Sequence, residues 1–175
     1  MATYKSDPAH SEATFKVKHM MISSVSGSIR KFEVTMESDR PDFTDASVTF
    51  KAETASLTTN NADRDKHLMS DDFFNAERFP EITFKSTQLQ KTAGDSYILK
   101  GDLTIRDLTN PVELRITYNG NIKDPWGQTR AGFEVEGKVN RHDYNLRWNE
   151  LTETGGFIVG PDVNIHANVE MVLQQ

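Results

Sequence analysis

The side chains able to do chemistry gather in two stretches of the chain. The first is Asp63-Arg64-Asp65-Lys66-His67; the second runs from Asn140-Arg141-His142-Asp143-Tyr144 to Arg147-Trp148-Asn149. In the first, Arg64 and His67 have the chemistry to meet a polar or anionic head group through charge-assisted hydrogen bonds. The same residues also suit a solvated helix face with local ion pairs, and the residue types alone favour that plainer reading. In the second, Arg141 can bond backbone carbonyls at a corner where Tyr144 and Trp148 pack, or the group can rim a ligand mouth. Of the five histidines, His166 follows Ile165 in an alternating stretch and is expected to face outward. His10, His19 and His67 flank turns or the charged stretch, and their spacing does not make them converge as a metal site requires. We assign no metal ligand. Cysteine is absent, which excludes disulfides, thiolate nucleophiles and cysteine-ligated zinc. The chain has no serine elbow, P-loop, dinucleotide glycine fingerprint or metalloprotease helix motif. We therefore assign no catalytic residue and no cofactor.

The whole length, 1–175, suits one domain. At 36 % hydrophobic and 26 % charged residues it is too apolar for a disordered chain and too polar for a membrane protein. No apolar run approaches the roughly 18 residues a spanning helix needs. The formal charge is -6, and basic residues sit beside acidic ones, as in Lys31-Phe32-Glu33 and Lys51-Ala52-Glu53. That pattern is no footprint for nucleic acid and no polybasic patch for an anionic membrane. The start, Met1-Ala2-Thr3-Tyr4-Lys5-Ser6-Asp7-Pro8, lacks the basic and apolar regions of a signal peptide. The chain as it stands is expected in the cytoplasm, or in the periplasm if a signal has been removed.

The elements that must position these residues announce themselves by period two. Ala13, Phe15 and Val17 alternate with polar neighbours; so do Phe32, Val34 and Met36, then Ala46, Val48, Phe50 and Ala52. Ile82 and Phe84, then Leu99, Leu103 and Ile105, then Val112, Leu114, Ile116 and Tyr118 continue the pattern. It returns in Ala131, Phe133, Val135 and Val139 and in Val163, Ile165, Ala167, Val169, Met171 and Leu173. Such alternation marks half-buried strands of antiparallel sheet. The segments near 12–18, 27–37, 46–53, 81–89, 97–106, 111–120, 129–141 and 162–173 are separated by turn chemistry, for example Asp39-Arg40-Pro41-Asp42 and Asp124-Pro125-Trp126-Gly127. Strands with one buried face close into a sandwich or a barrel. One stretch breaks the pattern. Between 61 and 76 we expect one or two short helices, with Asn60 or Asn61 as N-cap and Ser70-Asp71-Asp72 opening a second turn that carries Phe73 and Phe74. In a barrel such an insert would close an end or line the mouth.

A series of motifs now resembles the YceI family. Asp7-Pro8-Ala9-His10-Ser11 with Phe15-Lys16-Val17-Lys18-His19 is similar to the family's opening, and Arg64 to Phe74 to its most recognisable motif. Phe79-Pro80-Glu81-Ile82-Thr83-Phe84-Lys85-Ser86, then Gly101 to Ile105 with Thr109-Asn110-Pro111-Val112, and finally Asn140 to Tyr144 with Trp148-Asn149 follow in family order. Asp107 and Asn145 stand where the family often has glycine; both residue types tolerate left-handed backbone in a turn. The resemblance implies an eight-stranded antiparallel lipocalin-like barrel whose elongated pocket holds a long isoprenoid lipid, a polyprenyl pyrophosphate or an isoprenoid quinone. It implies binding, storage or transport without catalysis, and it extends to a homodimer, since some members are dimers.

On that basis we place Phe15, Val17, Phe32, Val34, Phe50, Phe74, Phe84, Leu103, Ile105, Leu114, Phe133, Val135, Trp148, Ile165 and Val169 on the wall of an apolar cavity. We place His19, Arg64, Asp65, His67, Arg141 and Asn149 at its mouth, where a head group would sit. Strands of about ten residues at about 3.3 Å each span about 33 Å, which suits a long tube. About a dozen buried tail carbons gain roughly 10 kcal/mol at about 0.8 per methylene. Association costs at least about 4 kcal/mol, so burial alone holds only a long tail tightly. Tolerance of the head and selectivity for tail length follow. Two other readings remain open at this point: an enzyme modifying such a lipid at the mouth, and an interaction module with a filled core.

Overall fold

In the computed structural model, which describes residues 1–149 and 158–175, the period-two segments become strands of one antiparallel sheet. The strands are β1 Ala2–Ser6, β2 Glu12–His19, β3 Ser23–Ile29, β4 Phe32–Ser38, β5 Ser47–Glu53, β6 Leu57–Thr58, β7 Glu81–Ala93, β8 Ser96–Ile105, β9 Leu108–Lys123, β10 Thr129–Asn140 and β11 Val159–Leu173. Round the wall the order is β1, β4, β5, β7, β8, β9, β10, β11, and β11 pairs back to β1. Further along its length β11 also pairs with β2, which pairs with β3, and β3 meets β6. Thus β1 and β2 are two parts of one stave, broken at the Pro8–His10 turn of 3-10 helix. β3 and β4 are broken at Arg30-Lys31, and β5 and β6 at Thr54–Ser56. The result is a closed eight-stranded barrel with, among the described residues, one short α-helix.

Three boundaries differ from the sequence pattern. Ala2–Ser6 shows no alternation, yet it is a strand because β4 and β11 pair with it on either side. The single segment expected at 27–37 is two strands, and the serine-rich Ser23–Ile29 begins before its first apolar pair. The long hairpin strands also run several residues past the alternating core.

Cross-strand register puts the alternating residues on the inside. Phe50 faces Val34 on one side and Phe84 on the other, and Phe84 faces Leu103. Val135 lies between Ile116 and Ala167. Two inward glycines give the rings room. A Cβ on Gly27 would lie 2.3 Å from the Phe15 ring, and one on Gly101 would lie 2.4 Å from the Phe84 ring. Each aromatic therefore lies flat across a neighbouring strand instead of filling the lumen.

One end of the barrel is shut. The connection from β4 to β5 folds inward and buries Phe43 to 3 % exposure. Its ring meets Tyr4, Tyr118 and Phe133 at centroid distances of 5.9, 5.4 and 5.6 Å, all near edge-to-face. The Asp45 carboxylate accepts from the Ser38 hydroxyl at 2.6 Å and from the Asp39 and Arg40 backbone N–H groups, which locks the plug loop.

A half-buried arginine fastens the seam between β1 and β11. Arg130 on β10 pairs with Asp7, Asp124 and Glu170, each at 2.8 Å. Arg130 first, and His10 next, hold the Asp7 carboxyl down from 3.8 to about 2. A folded-state value below the ordinary one means that folding favours the carboxylate. That contribution is present above pH about 4 and is lost as pH falls toward 2. Asp7→Asn is therefore expected to lower the thermal midpoint at pH 7, with a gap to the native chain that closes as pH drops below about 4. Thermal melts across that window check it; a gap independent of pH would show that the seam pairing adds nothing.

Candidate functional site

The barrel encloses a cavity of about 630 Å³ whose wall is almost wholly apolar. That volume lies within the roughly 300–1,000 Å³ of small-molecule sites. Every apolar position inferred from the sequence lies on it, from Phe15 and Val17 on β2 to Ile165 and Val169 on β11. The wall also takes in Ile82, Leu99 and Val112, which share the inward face of the same strands, and Leu68 and Phe73 from the insert. The first three carried the period-two signal in full. A filled core is not what this barrel contains.

The insert roofs the open end. Helix α1, Ala62–Met69, starts at Asn61, whose side-chain oxygen accepts from the Arg64 N–H at 3.0 Å. Asp63 and Asp65 occupy the first turn, at the positive end of the helix dipole. After Ser70 the chain makes turns rather than a second helix, and these carry Phe73 and Phe74 to the cavity. Arg106, at the β8–β9 turn, donates to the Asp71 and Phe73 carbonyls and pairs with the Asp71 carboxylate at 2.9 Å. Sequence reasoning passed over this anchor, because a lone arginine in a hairpin turn carries no signal of its distant partners. Arg106 also holds the left-handed backbone, at φ 57°, rather than the neighbouring Asp107. Asn145 does adopt it, at φ 61°, and ends the 3-10 turn Arg141–Tyr144.

The polar residues expected at the mouth divide into two groups. His19, Arg64 and His67 border the cavity. Arg64 spends Nε and one terminal nitrogen on the Thr59 hydroxyl and carbonyl, at 2.7 and 2.9 Å. His67 sets Nε2 2.8 Å from the Asp72 carboxylate, and its ring packs edge-on against Trp148 and Phe73. The other three are clamps. Asp65 accepts from Thr58 and Thr59, side chains and backbone, at 2.6–2.7 Å. Burial pushes its pKa up, but these hydrogen bonds outweigh burial and hold it below the usual carboxylate range. Asn149 ties Ile158 and Val159 through both ends of its amide. Neither Asp65 nor Asn149 borders the cavity. Arg141 does border it, yet the residue is only 3 % exposed and its guanidinium donates to the carbonyls of Leu146, Trp148, Val159 and Gly160. That is the structural corner which Tyr144 and Trp148 had offered as the plainer reading. Burial and the Asp143 charge push the Tyr144 hydroxyl up to about 12, so it stays protonated.

The histidines do not meet. His19 and His67 border the cavity, but His10 sits on the outer seam against Asp7. His166 faces outward and meets Glu134 at 2.8 Å. Two His–carboxylate clusters of ligand-like spacing occur among the described residues, Asp7-His10-Glu170 and Glu134-Glu136-His166. In the first, Arg130 already pairs with both carboxylates, and in the second Arg115 pairs with Glu136. The arrangement can enclose an apolar chain and offer it a sparse polar rim. Among the described residues, no convergent acid, base and nucleophile lie along the wall.

A lumen closed at one end by an aromatic plug, roofed at the other by a helical insert and lined by inward strand residues is a lipocalin-like architecture, and the family model for the YceI-like domain matches residues 4–171. The chain belongs to the YceI-like domain family. A relative from Staphylococcus aureus (strain MSSA476), UPF0312 protein SAS2572, is 37 % identical over 176 residues, covering all of both chains. Burkholderia cenocepacia BcnA superposes with a TM-score of 0.82 at 22 % identity, covering 94 % of this chain and 98 % of its own. A polyisoprenoid binding domain from Saccharophagus degradans superposes with a TM-score of 0.68 at 10 % identity, covering 98 % of each chain. At these identities the two structures attest the fold. Among the described residues, no helix is long and apolar enough to cross a membrane.

Proposed function

We propose that the chain binds a long isoprenoid lipid in its barrel and stores or carries it without changing it. The observation that carries this is the cavity of about 630 Å³ with an almost wholly apolar wall. An apolar void of that size is unfavourable to leave open to water and matches a flexible hydrocarbon. Among the described residues the polar side chains at the rim are Lys18, His19, Asp63, Arg64 and His67, and Arg64 and His67 already have partners. Affinity then resides in the tail, and the pyrophosphate or quinone at its end is recognised weakly. The structural kinship with a polyisoprenoid binding domain supports the ligand class. The match to the YceI-like domain and the likeness to a polyisoprenoid binding domain support carriage over catalysis. A homodimer belongs to the same proposal and is read from sedimentation.

Organic extracts of natively purified protein, set against a denatured control, test the reading by mass spectrometry. A stoichiometric prenyl lipid is expected, with one narrow range of tail lengths and mixed heads. Protein from several hosts that carries no lipid, and takes up none when offered prenyl quinones, would overturn it.

A further inference from the structure

The β2–β3 hairpin turns on Met20-Met21-Ile22. Met20 and Met21 both have positive φ, 52° and 63°, and the Ile22 N–H donates to the His19 carbonyl at 3.2 Å. Two successive positive φ values closed by that bond make a turn of the type that favours Asn-Gly. Unbranched but bulky methionines are poor residues for it. Nor do they pack: Met20, Met21 and Ile22 are 44, 67 and 84 % exposed. Neither backbone preference nor core burial accounts for three apolar residues at this tip, and strained backbone of this kind is a mark of functional segments.

Position supplies the reason. His19 and Lys18, which lead into the tip, border the cavity, and the Met20 N–H donates to the carbonyl of Ile158, another cavity residue. The tip is therefore the rim of the open end. Lys16 and Lys18 on β2 lead into it and Arg64 on α1 borders the same cavity; unlike most lysines of the barrel flank, these three form no ion pair among the described residues. Another exposed apolar tip, Ile122 and Trp126, belongs to the β9–β10 hairpin at the end sealed by Phe43.

We propose that Met20-Met21-Ile22 docks the barrel mouth onto a lipid bilayer, inserting its apolar side chains among the acyl chains while the neighbouring lysines meet anionic head groups. Seated so, the mouth lets a tail move between bilayer and cavity with little exposure to water. The purpose rests on the reading of the cavity as a lipid site, but the docking itself does not, since an empty barrel carries the same tip.

Flotation of the full chain with vesicles of phosphatidylcholine, with and without phosphatidylglycerol, tests it. The native chain is expected to float, more strongly with phosphatidylglycerol. Met20→Asn/Met21→Gly/Ile22→Ser should keep or raise the thermal midpoint, because Asn-Gly suits the turn, while vesicle partitioning falls at least about tenfold with the loss of three insertable side chains. Ile22→Ser alone should give part of the loss without touching the strained positions. A folded triple variant that floats as well as the native chain would overturn the proposal. So would a native dimer that the triple variant dissociates, since the tip would then serve a second copy. Vesicle binding that persists in protein holding no lipid would leave docking standing and count only against the cavity reading.

Discussion

Val135→Phe combined with Ile165→Phe is expected to empty the barrel of its ligand without unfolding it. Both side chains border the cavity, on β10 and β11, and both are only half buried. In a packed core, added bulk costs about 1–3 kcal/mol through forced rotamers and shifted backbone. Here the rings enter open space of about 630 Å³, and their own burial offsets the strain. The thermal midpoint should hold or rise. A tail that loses room for about four methylenes forfeits about 3 kcal/mol, roughly a hundredfold in affinity. Lipid per protein by mass spectrometry, read beside the thermal melt, separates the two effects. A folded double variant that retains native amounts of the same long tail would show that the ligand lies elsewhere.

The same wall shows how far residue patterns reach. Period two is a direct imprint of a sheet with one buried face, so each inward position, from Phe15 to Val169, was legible without knowing which strands pair. The helix at Ala62–Met69 was legible for a similar reason: its cap and its first-turn carboxylates are local features. What depends on partners distant in sequence was not. Asp65 looked like a rim charge and is consumed by Thr58 and Thr59. Asn149 looked the same and pins the start of β11. Charged side chains at a cavity edge serve packing or ligand equally well by type, and only their hydrogen-bond partners decide. β1 escaped notice because its strand state is imposed by β4 and β11 rather than by its own residues. The Met20-Met21 turn carries no glycine or asparagine, so no turn chemistry marked it.

Arg141 should prove the costliest single polar side chain to remove. Its guanidinium reaches the carbonyls of Leu146, Trp148, Val159 and Gly160, and so joins the corner after β10 to the first residues of β11. Burial lowers its pKa, yet from so high a starting value that it stays charged. Arg141→Met keeps most of the apolar stem and removes the donors. The Val159 carbonyl retains the Asn149 amide, which leaves those of Leu146, Trp148 and Gly160 without this partner. At about 1 kcal/mol for each, the loss is about 3 kcal/mol, or about 1.5 M in the urea midpoint of a chain this size. Arg141→Lys should recover little, since one ammonium cannot spread its donors over a fork. The roof should loosen with the corner, because Trp148 packs on His67 and Phe73 and its own carbonyl is one of those held. With Trp126 replaced by Phe, Trp148 is the remaining tryptophan, and its emission should shift to the red in Arg141→Met before the global transition begins. An unchanged urea midpoint with unchanged emission would mean that the corner stands without the arginine, and would return Arg141 to the rim as a head-group ligand.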